Sequence, residues 1–400
     1  MRRTVTLLLN IAHAIDHLFL LVFATAVASI AREFGFTRWE DLMPFGAGAF
    51  LLFGLGSLPA GRLGDLWGRR QMMAVFFFGI GISACLVALT HNAWQLAAAL
   101  TLVGAFASIY HPVGIPMLVQ NAANPGATIG VNGLAGNLGI AAAAILTGYL
   151  VEHLGWRAAF VVPGLASIGF GVWFVRAAPH ETEPPSQRAR KAGPQLSRTE
   201  VLRALAVMTL ASASGGLIFN LTTNGNGQLL AERFRGVVED PSTLGLLLGA
   251  VYAFASLAQL VVGRLIDRFA LRPLQLTIVL CQAPMLLWAS QAQGWALYAA
   301  LVGAMVFIFG AIPFTDATIV RYVDDRMRSR VAGLRLAISL GISSGAVWAL
   351  GPVVKAAGFG VLFMAMAGVA VFTAAVVLAL PSERRAAFNP TAAPGAAPPS

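Results

Sequence analysis

The stretch GRLGDLWGRRQ, residues 61–71, occurs a second time in altered form as GRLIDRFALRP, residues 263–273. Gly, Arg, Leu and Asp recur after 202 positions, and the same shift places NLGI at Asn137 onto SLGI at Ser339. Two matches in one register indicate that a unit of about 200 residues is duplicated. The sequence therefore predicts two structurally related halves.

The composition indicates whether these halves lie in water or in a lipid bilayer. The chain is 58% hydrophobic and 11% charged, with a mean hydropathy of +0.75, whereas a soluble protein carries about a quarter charged residues. A helix that crosses the hydrocarbon core needs about 20 residues. We expect an all-α integral membrane protein with twelve spans, at residues 4–31, 41–62, 71–90, 93–118, 127–152, 157–177, 200–230, 242–263, 273–292, 294–319, 331–354 and 358–380.

A polar stretch rich in Pro, Glu and Arg at residues 176–200 divides the spans into six and six. A segment of this composition has too few apolar residues to form a buried hydrophobic core. The predicted domains are a six-helix bundle at 1–177, a cytoplasmic linker at 178–199, a second six-helix bundle at 200–380, and a disordered tail at 381–400.

The basic residues predict the orientation. With the N-terminus inside, 21 of the 27 Lys and Arg residues fall on cytoplasmic segments, as the positive-inside rule requires. We therefore expect both termini in the cytoplasm of a cell with a bacterial-type inner membrane. The net charge of +10 then needs no nucleic-acid partner, and the first apolar run is too long for a secretion signal.

The loop at 61–71 resembles the signature of the major facilitator superfamily, which runs Gly, any, Leu, any, Asp, any, any, Gly, Arg, Lys or Arg. This resemblance implies a transporter with two pseudo-symmetric bundles, in which helices 1, 4, 7 and 10 surround a central cavity. It also implies that the loop holds the two halves together while the cavity is open to the outside of the cell. The residues of this gating loop are Gly61, Arg62, Asp65, Gly68, Arg69 and Arg70, with Gly263, Arg264 and Asp267 in the second copy.

Three shorter matches are similar to the fosmidomycin-resistance group of exporters. They are the His and Asp patch of helix 1 followed by AREFGF, the triplet YHP at 110–112, and GNLG at 136–139. They favour efflux of a drug or metabolite. Helix 4 carries no arginine and helix 5 lacks the Gly-Pro pair usual in proton-coupled exporters, so a proton-coupled importer stays open.

The stretch HAIDHLFL, residues 13–20, places His13, Asp16 and His17 in the first span. Asp16 lies about 18 Å along the helix, near the midplane, where a charge costs at least about 2.5 to 3.5 kcal/mol. The three residues share one sector of the helix. We predict that Asp16 carries a coupling proton, while an Asp-His pair that only fixes helix 1 against its neighbours is the structural alternative.

Further polar residues lie in other spans, and each could instead serve helix packing. Pro112 and Pro116 should distort helix 4 beside His111 and Tyr110, and Asp316 maps by the 202 shift onto Gly114. We expect these side chains to approach Asp16 or the substrate. The candidate site residues are Asp16, His17, His13, Tyr110, His111, Asp316, Asn137 and Asn220.

The same residues are also compatible with other functions. His13, Asp16, His17 and His111 could pass a transition metal or its chelate, since imidazole and carboxylate suit such ions, and a membrane receptor that does not transport is a further alternative. No phosphate-binding loop or catalytic motif appears. We therefore expect a monomer that is no enzyme, uses no cofactor, and has a small solute, protons and the lipid bilayer as partners.

Overall fold

The computed structural model describes residues 3–120, 125–180, 198–266, 268–322 and 325–380, and all regular structure in these ranges is helical. Eleven helices are long and apolar enough to cross a membrane. The last of them, Leu334–Leu378, has 45 residues, enough for two crossings of about 20 residues each. It is interrupted at Gly358, where φ is 76° and ψ is 168°. The described part of the chain thus makes twelve passes, which confirms the predicted fold class.

The helices of the N-terminal half are α1 (Arg3–Glu33), α2 (Ala47–Trp67), α3 (Arg69–Val87), α4 (Ala93–Val119), α5 (Pro125–Leu154) and α6 (Trp156–Ala177). Those of the C-terminal half are α7 (Arg198–Arg233), α8 (Pro241–Ile266), α9 (Leu271–Gln291), α10 (Gly294–Ala311, continued as Pro313–Tyr322), and α11 and α12, which lie before and after Gly358 within Asp325–Leu378.

The linker and the tail are largely outside the described residues. Helix α6 ends at Ala177 and α7 begins at Arg198, but 181–197 and 381–400 are not described. The cytoplasmic linker, the disordered tail and the location of both termini stay predictions.

The outer surface of the bundle is apolar. Leu58, Trp94 and Phe254 are each more than half exposed, and many other large apolar side chains share this position. Large apolar side chains exposed in such number on a bundle of membrane-spanning helices are covered by lipid.

Helix α4 is broken at the site that the prolines predict. Residues Tyr110–Gly114 form one π-helical turn, since Pro112 has no N–H to donate within a regular α-helix. Helix α10 is interrupted at Ile312, before Pro313. The 202 shift maps Tyr110 onto Ile312, so the two halves have helix breaks at equivalent positions. In transporters built from duplicated units, such broken helices line the binding site.

Helices α1 and α5 touch along two glycines of the GNLG motif. A Cβ atom at Gly139 would lie 2.1 Å from the carbonyl oxygen of Ala14, and one at Gly136 would lie 2.7 Å from the His13 ring. Small residues allow helix backbones in a membrane to approach closely. Gly136 and Gly139 therefore hold α5 directly against the helix that carries the candidate proton site.

Small residues also join the two halves. A Cβ atom at Gly148 on α5 would lie 2.4 Å from the carbonyl oxygen of Pro241 on α8, and one at Gly54 on α2 would lie 2.8 Å from Leu340 on α11. The α5–α8 and α2–α11 pairs are therefore two of the close contacts between the halves.

Four described polar contacts between the halves lie at the end of the bundle opposite the 61–71 loop, here called the far end. These contacts are Ser242 N to Glu152 at 2.8 Å, Lys355 Nζ to Asp41 at 2.5 Å, Ser344 Oγ to the carbonyl oxygen of Ala47 at 2.9 Å, and Gln228 Nε2 to that of Ala24 at 3.4 Å.

Candidate functional site

A cavity of about 240 Å³ lies between the two halves. Its N-terminal wall is mainly apolar, while its C-terminal wall carries amides, hydroxyls and the guanidinium group of Arg335. The N-terminal wall includes Leu20, Leu21, Phe50, Phe53 and Ile140 with His17 and His111. The C-terminal wall includes Phe219, Asn220, Thr223, Gln275, Gln282, Arg335, Ser339 and Ser343. The cavity thus presents two chemically different faces to a solute.

Asp16 lies behind the N-terminal wall, next to His111. The Asp16 side chain is completely buried, and its Oδ2 lies 3.5 Å from Nε2 of His111, which is 23% exposed. Neither carboxylate oxygen accepts a hydrogen bond from a residue that the structure describes. A buried negative charge without hydrogen bonds is costly, so a proton or a cation at this position stabilises the site.

His111 reaches Asp16 because of the local fold of α4. The π-helical turn begins one residue before His111, and π turns inside α-helices are frequent at functional sites. The turn packs against α2, where a Cβ atom at Gly61 would lie 3.2 Å from Pro112 and one at Gly64 would lie 2.8 Å from Val113. Helix α2, which carries Gly61 and Gly64 of the 61–71 motif, therefore supports the segment that carries His111.

His13 is held by a hydrogen-bond network that the sequence did not indicate. Its Nδ1 donates to the carbonyl oxygen of Asn132 at 2.7 Å, so Nδ1 carries a proton, and its Nε2 is buried without a hydrogen-bond partner among the described residues. The Asn132 side chain donates to the Tyr110 hydroxyl at 2.7 Å and to Oδ1 of Asn10 at 2.9 Å. Asn132 thereby connects α5 to α1 and to the π turn of α4.

The three histidines form one cluster. The ring centroids of His13 and His17 are 4.7 Å apart, and those of His13 and His111 are 5.0 Å apart. Tyr110 stacks on His13 with an interplanar angle of 18°. One ligand atom from each histidine can be chosen so that all three lie within 4.8 Å of one another. The structure thus brings together five of the eight candidate residues.

The other three candidates are distributed differently. Asn220 reaches the cavity wall and donates to Ser343 Oγ at 2.7 Å. Asn137 is buried at 3% exposure, and its Nδ2 has no hydrogen-bond partner among the described residues. Asp316 lies on the continuation of α10, Pro313–Tyr322, but its side chain is outside the described part of the structure.

The gating loop forms a turn between α2 and α3. Gly68 has φ 108° and ψ 143°, a conformation that essentially requires glycine. Arg69 lies 3.9 Å from Asp65, and Arg70 donates to the carbonyl oxygens of Val175 and Ala178 at the end of α6. In the second copy, Gly263 and Arg264 lie in the last turn of α8, which ends at Ile266, while Asp267 lies outside the described residues.

Several residues at the site were missed by the sequence analysis. Asn10 and Asn132 were not singled out, although an amide within a span is a signal for an interhelical contact. The aromatic residues Phe50, Phe53 and Phe219 line the cavity, but no local pattern distinguishes them from other apolar residues of the spans. Their position at the cavity requires the tertiary structure.

Comparison with known proteins agrees with the fold. The family model of the Major Facilitator Superfamily matches residues 9–235, which is more than half of the chain. The Tetracenomycin C resistance and export protein of Streptomyces glaucescens is 27% identical over 144 residues, 35% of this chain and 27% of that protein. The puromycin resistance protein of Streptomyces alboniger is 32% identical over 135 residues, 33% of this chain and 27% of that protein.

The chain thus aligns with about a quarter of the length of each of these relatives. Among solved structures, a bacterial homolog of the human lysosomal transporter Spinster, in an inward-facing and occupied conformation, has a TM-score of 0.70. It is 15% identical, over 95% of this chain and 94% of the other. By its sequence and its fold, this chain belongs to the Major Facilitator Superfamily, whose members are multi-pass membrane transporters and not enzymes.

Proposed function

We propose that this protein is a secondary active transporter that exports a small amphipathic solute across the bacterial inner membrane, in exchange for protons. The observation that carries the proposal is the completely buried Asp16 carboxyl group, 3.5 Å from a histidine that reaches the central cavity. A charge of this kind in a membrane span is retained for a function, since it costs stability.

The proton path runs through His111. This side chain is partly exposed at the cavity wall, while Asp16 behind it has no contact with solvent. An imidazole nitrogen can bind and release a proton, so His111 can pass a proton between cavity water and Asp16. His17 and His111 also line the solute cavity, so a bound solute and a proton influence the same charges.

The cavity walls support an amphipathic solute. Phe50 and Phe53 offer an aromatic surface on one side, and Asn220 and Gln282 offer hydrogen bonds on the other. An apolar pocket with a few polar groups binds organic molecules by burying their apolar surface and orienting their polar edge. The relatives named for resistance and export support efflux as the direction.

The alternating-access cycle follows from where the halves touch. Their described polar contacts lie at the far end, so this conformation is closed there. By the charge distribution, the end with the 61–71 loop faces the cytoplasm. Release of the far-end contacts and closure near the loop would expose the cavity to the other side.

The test uses purified protein in proteoliposomes with an imposed pH gradient. Puromycin is a suitable first probe because it has an aromatic ring and several hydrogen-bonding groups, and a thermal-stabilisation screen of similar compounds supplies others. Wild-type protein should move protons, detected by a pH dye in the lumen, when the solute is added. Asp16→Asn should abolish this proton movement while the protein still inserts and folds.

Glu232→Gln is the matched control. It also replaces a carboxylate by an amide, but at a side chain 48% exposed that pairs with its neighbour Arg233, so proton movement should stay unchanged. Full solute-dependent proton movement by Asp16→Asn contradicts Asp16 as the carrier. Failure of the wild type to transport any stabilising compound contradicts the transporter proposal and favours a receptor.

A further inference from the structure

We propose that His13, His17 and His111 form a binding site for a divalent transition-metal ion, with Asp16 as the balancing negative charge. The proposal goes beyond proton-coupled transport and does not depend on it. It rests on the geometry of side chains from α1 and α4, all of which belong to one half of the protein.

The distances are close to those of a three-histidine site. The chosen ligand atoms lie within 4.8 Å of one another. In a tetrahedral site with metal–nitrogen bonds of about 2.0 to 2.1 Å, neighbouring nitrogens are about 3.4 Å apart. Binding therefore requires the most distant ligand atoms to approach by up to about 1.4 Å, and the proposal assigns this movement to side-chain rotation of His17 and His111 at the cavity wall.

His13 is already oriented as a ligand. Its Nδ1 donates to the backbone carbonyl of Asn132, which leaves the Nε2 lone pair of the neutral ring available. This Nε2 is buried and has no hydrogen-bond partner among the described residues, and the whole residue is 5% exposed. Histidines that bind metals usually donate their other ring nitrogen to an outer partner in this way.

The packing around His13 fixes the ring. Tyr110 stacks on one face, with ring centroids 4.7 Å apart. Gly136 packs closely against the ring, since a Cβ atom there would lie only 2.7 Å from it. A preorganised ligand loses little entropy on binding. His13 is thus the fixed member of the site, and the two cavity histidines are the adjustable ones.

The carboxylate of Asp16 meets the charge requirement. A divalent ion away from water needs negative charge nearby, and Oδ2 of Asp16 lies 3.5 Å from Nε2 of His111. Imidazole with one carboxylate suits Zn²⁺, Ni²⁺ and Co²⁺, whereas Mg²⁺ and Ca²⁺ prefer oxygen ligands throughout. His17 and His111 line the cavity, which provides the path of entry.

The experiment measures metal binding to the full-length protein in detergent, purified without a polyhistidine tag. Isothermal titration with ZnCl₂, NiCl₂ or CoCl₂ should show one site per chain, and the same metal should raise the midpoint of thermal unfolding by several degrees. MgCl₂ should have no effect. His17→Gln and His111→Gln should each weaken binding by at least about ten-fold, since each removes a ligand.

The matched controls are His91→Gln and His153→Gln, which remove exposed histidines outside the cluster. Both should bind metal as the wild type does. The proposal is overturned if no transition metal stabilises the protein, or if the control variants lose binding while His17→Gln keeps it.

A second measurement on the wild-type protein avoids dependence on the folding of the variants. X-ray absorption at the zinc edge should count three imidazole ligands, and a count of one or none overturns the proposal. Neither measurement uses a pH gradient or a transported solute. The metal site can therefore fail while proton coupling at Asp16 stands, and the reverse.

Discussion

Substitution of one glycine should separate the two helices that hold the candidate proton site. In Gly139→Ala, the new Cβ atom would lie 2.1 Å from the carbonyl oxygen of Ala14 on α1. An ordinary contact begins at 3.4 Å, so α1 and α5 must move apart by about 1.3 Å. The neighbour is backbone, which cannot rotate away as a side chain can.

The magnitude follows from two opposing effects. Overpacking of this size costs about 1 to 3 kcal/mol, while the better helix propensity of Ala returns up to about 1 kcal/mol. We expect a net loss of about 1 to 2 kcal/mol. A separation of about 1.3 Å along this direction would also stretch the His13 to Asn132 hydrogen bond from 2.7 Å past the limit of about 3.2 Å beyond which it weakens.

Thermal unfolding in detergent and solute-dependent proton movement in proteoliposomes measure the two effects. Gly139→Ala should lower the unfolding midpoint and slow proton movement. The matched control is Gly130→Ala on the same helix, where a Cβ atom meets nothing within 4 Å, so the midpoint should stay level or rise. Close α1–α5 packing is refuted if Gly139→Ala is as stable and as active as Gly130→Ala.

Three further substitutions test the network, the far end and the loop. Asn132→Leu removes the donor to the Tyr110 hydroxyl and leaves a buried acceptor unpaired, which costs about 1 to 3 kcal/mol; an unchanged unfolding midpoint would contradict this. Lys355→Met breaks the partly exposed ion pair with Asp41, so the free energy of unfolding should fall by under about 1 kcal/mol. Thiol labelling of cysteines introduced at the far end should become faster. Gly68→Ala should cost about 1 to 3 kcal/mol, because its backbone conformation is strained for any other residue, and equal stability would refute a required glycine in the loop.

The sequence predicted the fold because long apolar spans and a duplicated loop are local features. It also predicted the break in α4, since Pro112 removes a backbone donor wherever the helix lies. The approach of His111 to Asp16 was an expectation from the family arrangement of helices, and the structure places their side-chain atoms 3.5 Å apart.

The remaining features depend on partners that no local pattern identifies. The acceptor for His13 is a backbone carbonyl 119 residues away in the chain, and a carbonyl carries no sequence signal. The difference between the two cavity walls also arises only when α1, α2, α4 and α5 face α7, α9 and α11. For Asp316, the 202 shift supplied a position on α10 but no side-chain contact that the structure describes.

The most direct test of proton coupling at Asp16 compares two modes of transport in the same proteoliposomes. Exchange of labelled for unlabelled solute requires no net movement of protons, whereas accumulation driven by a pH gradient does. A proton carrier at Asp16 predicts that Asp16→Asn keeps exchange near the wild-type rate and loses accumulation. Accumulation by Asp16→Asn at the wild-type level, under the same gradient, would contradict it.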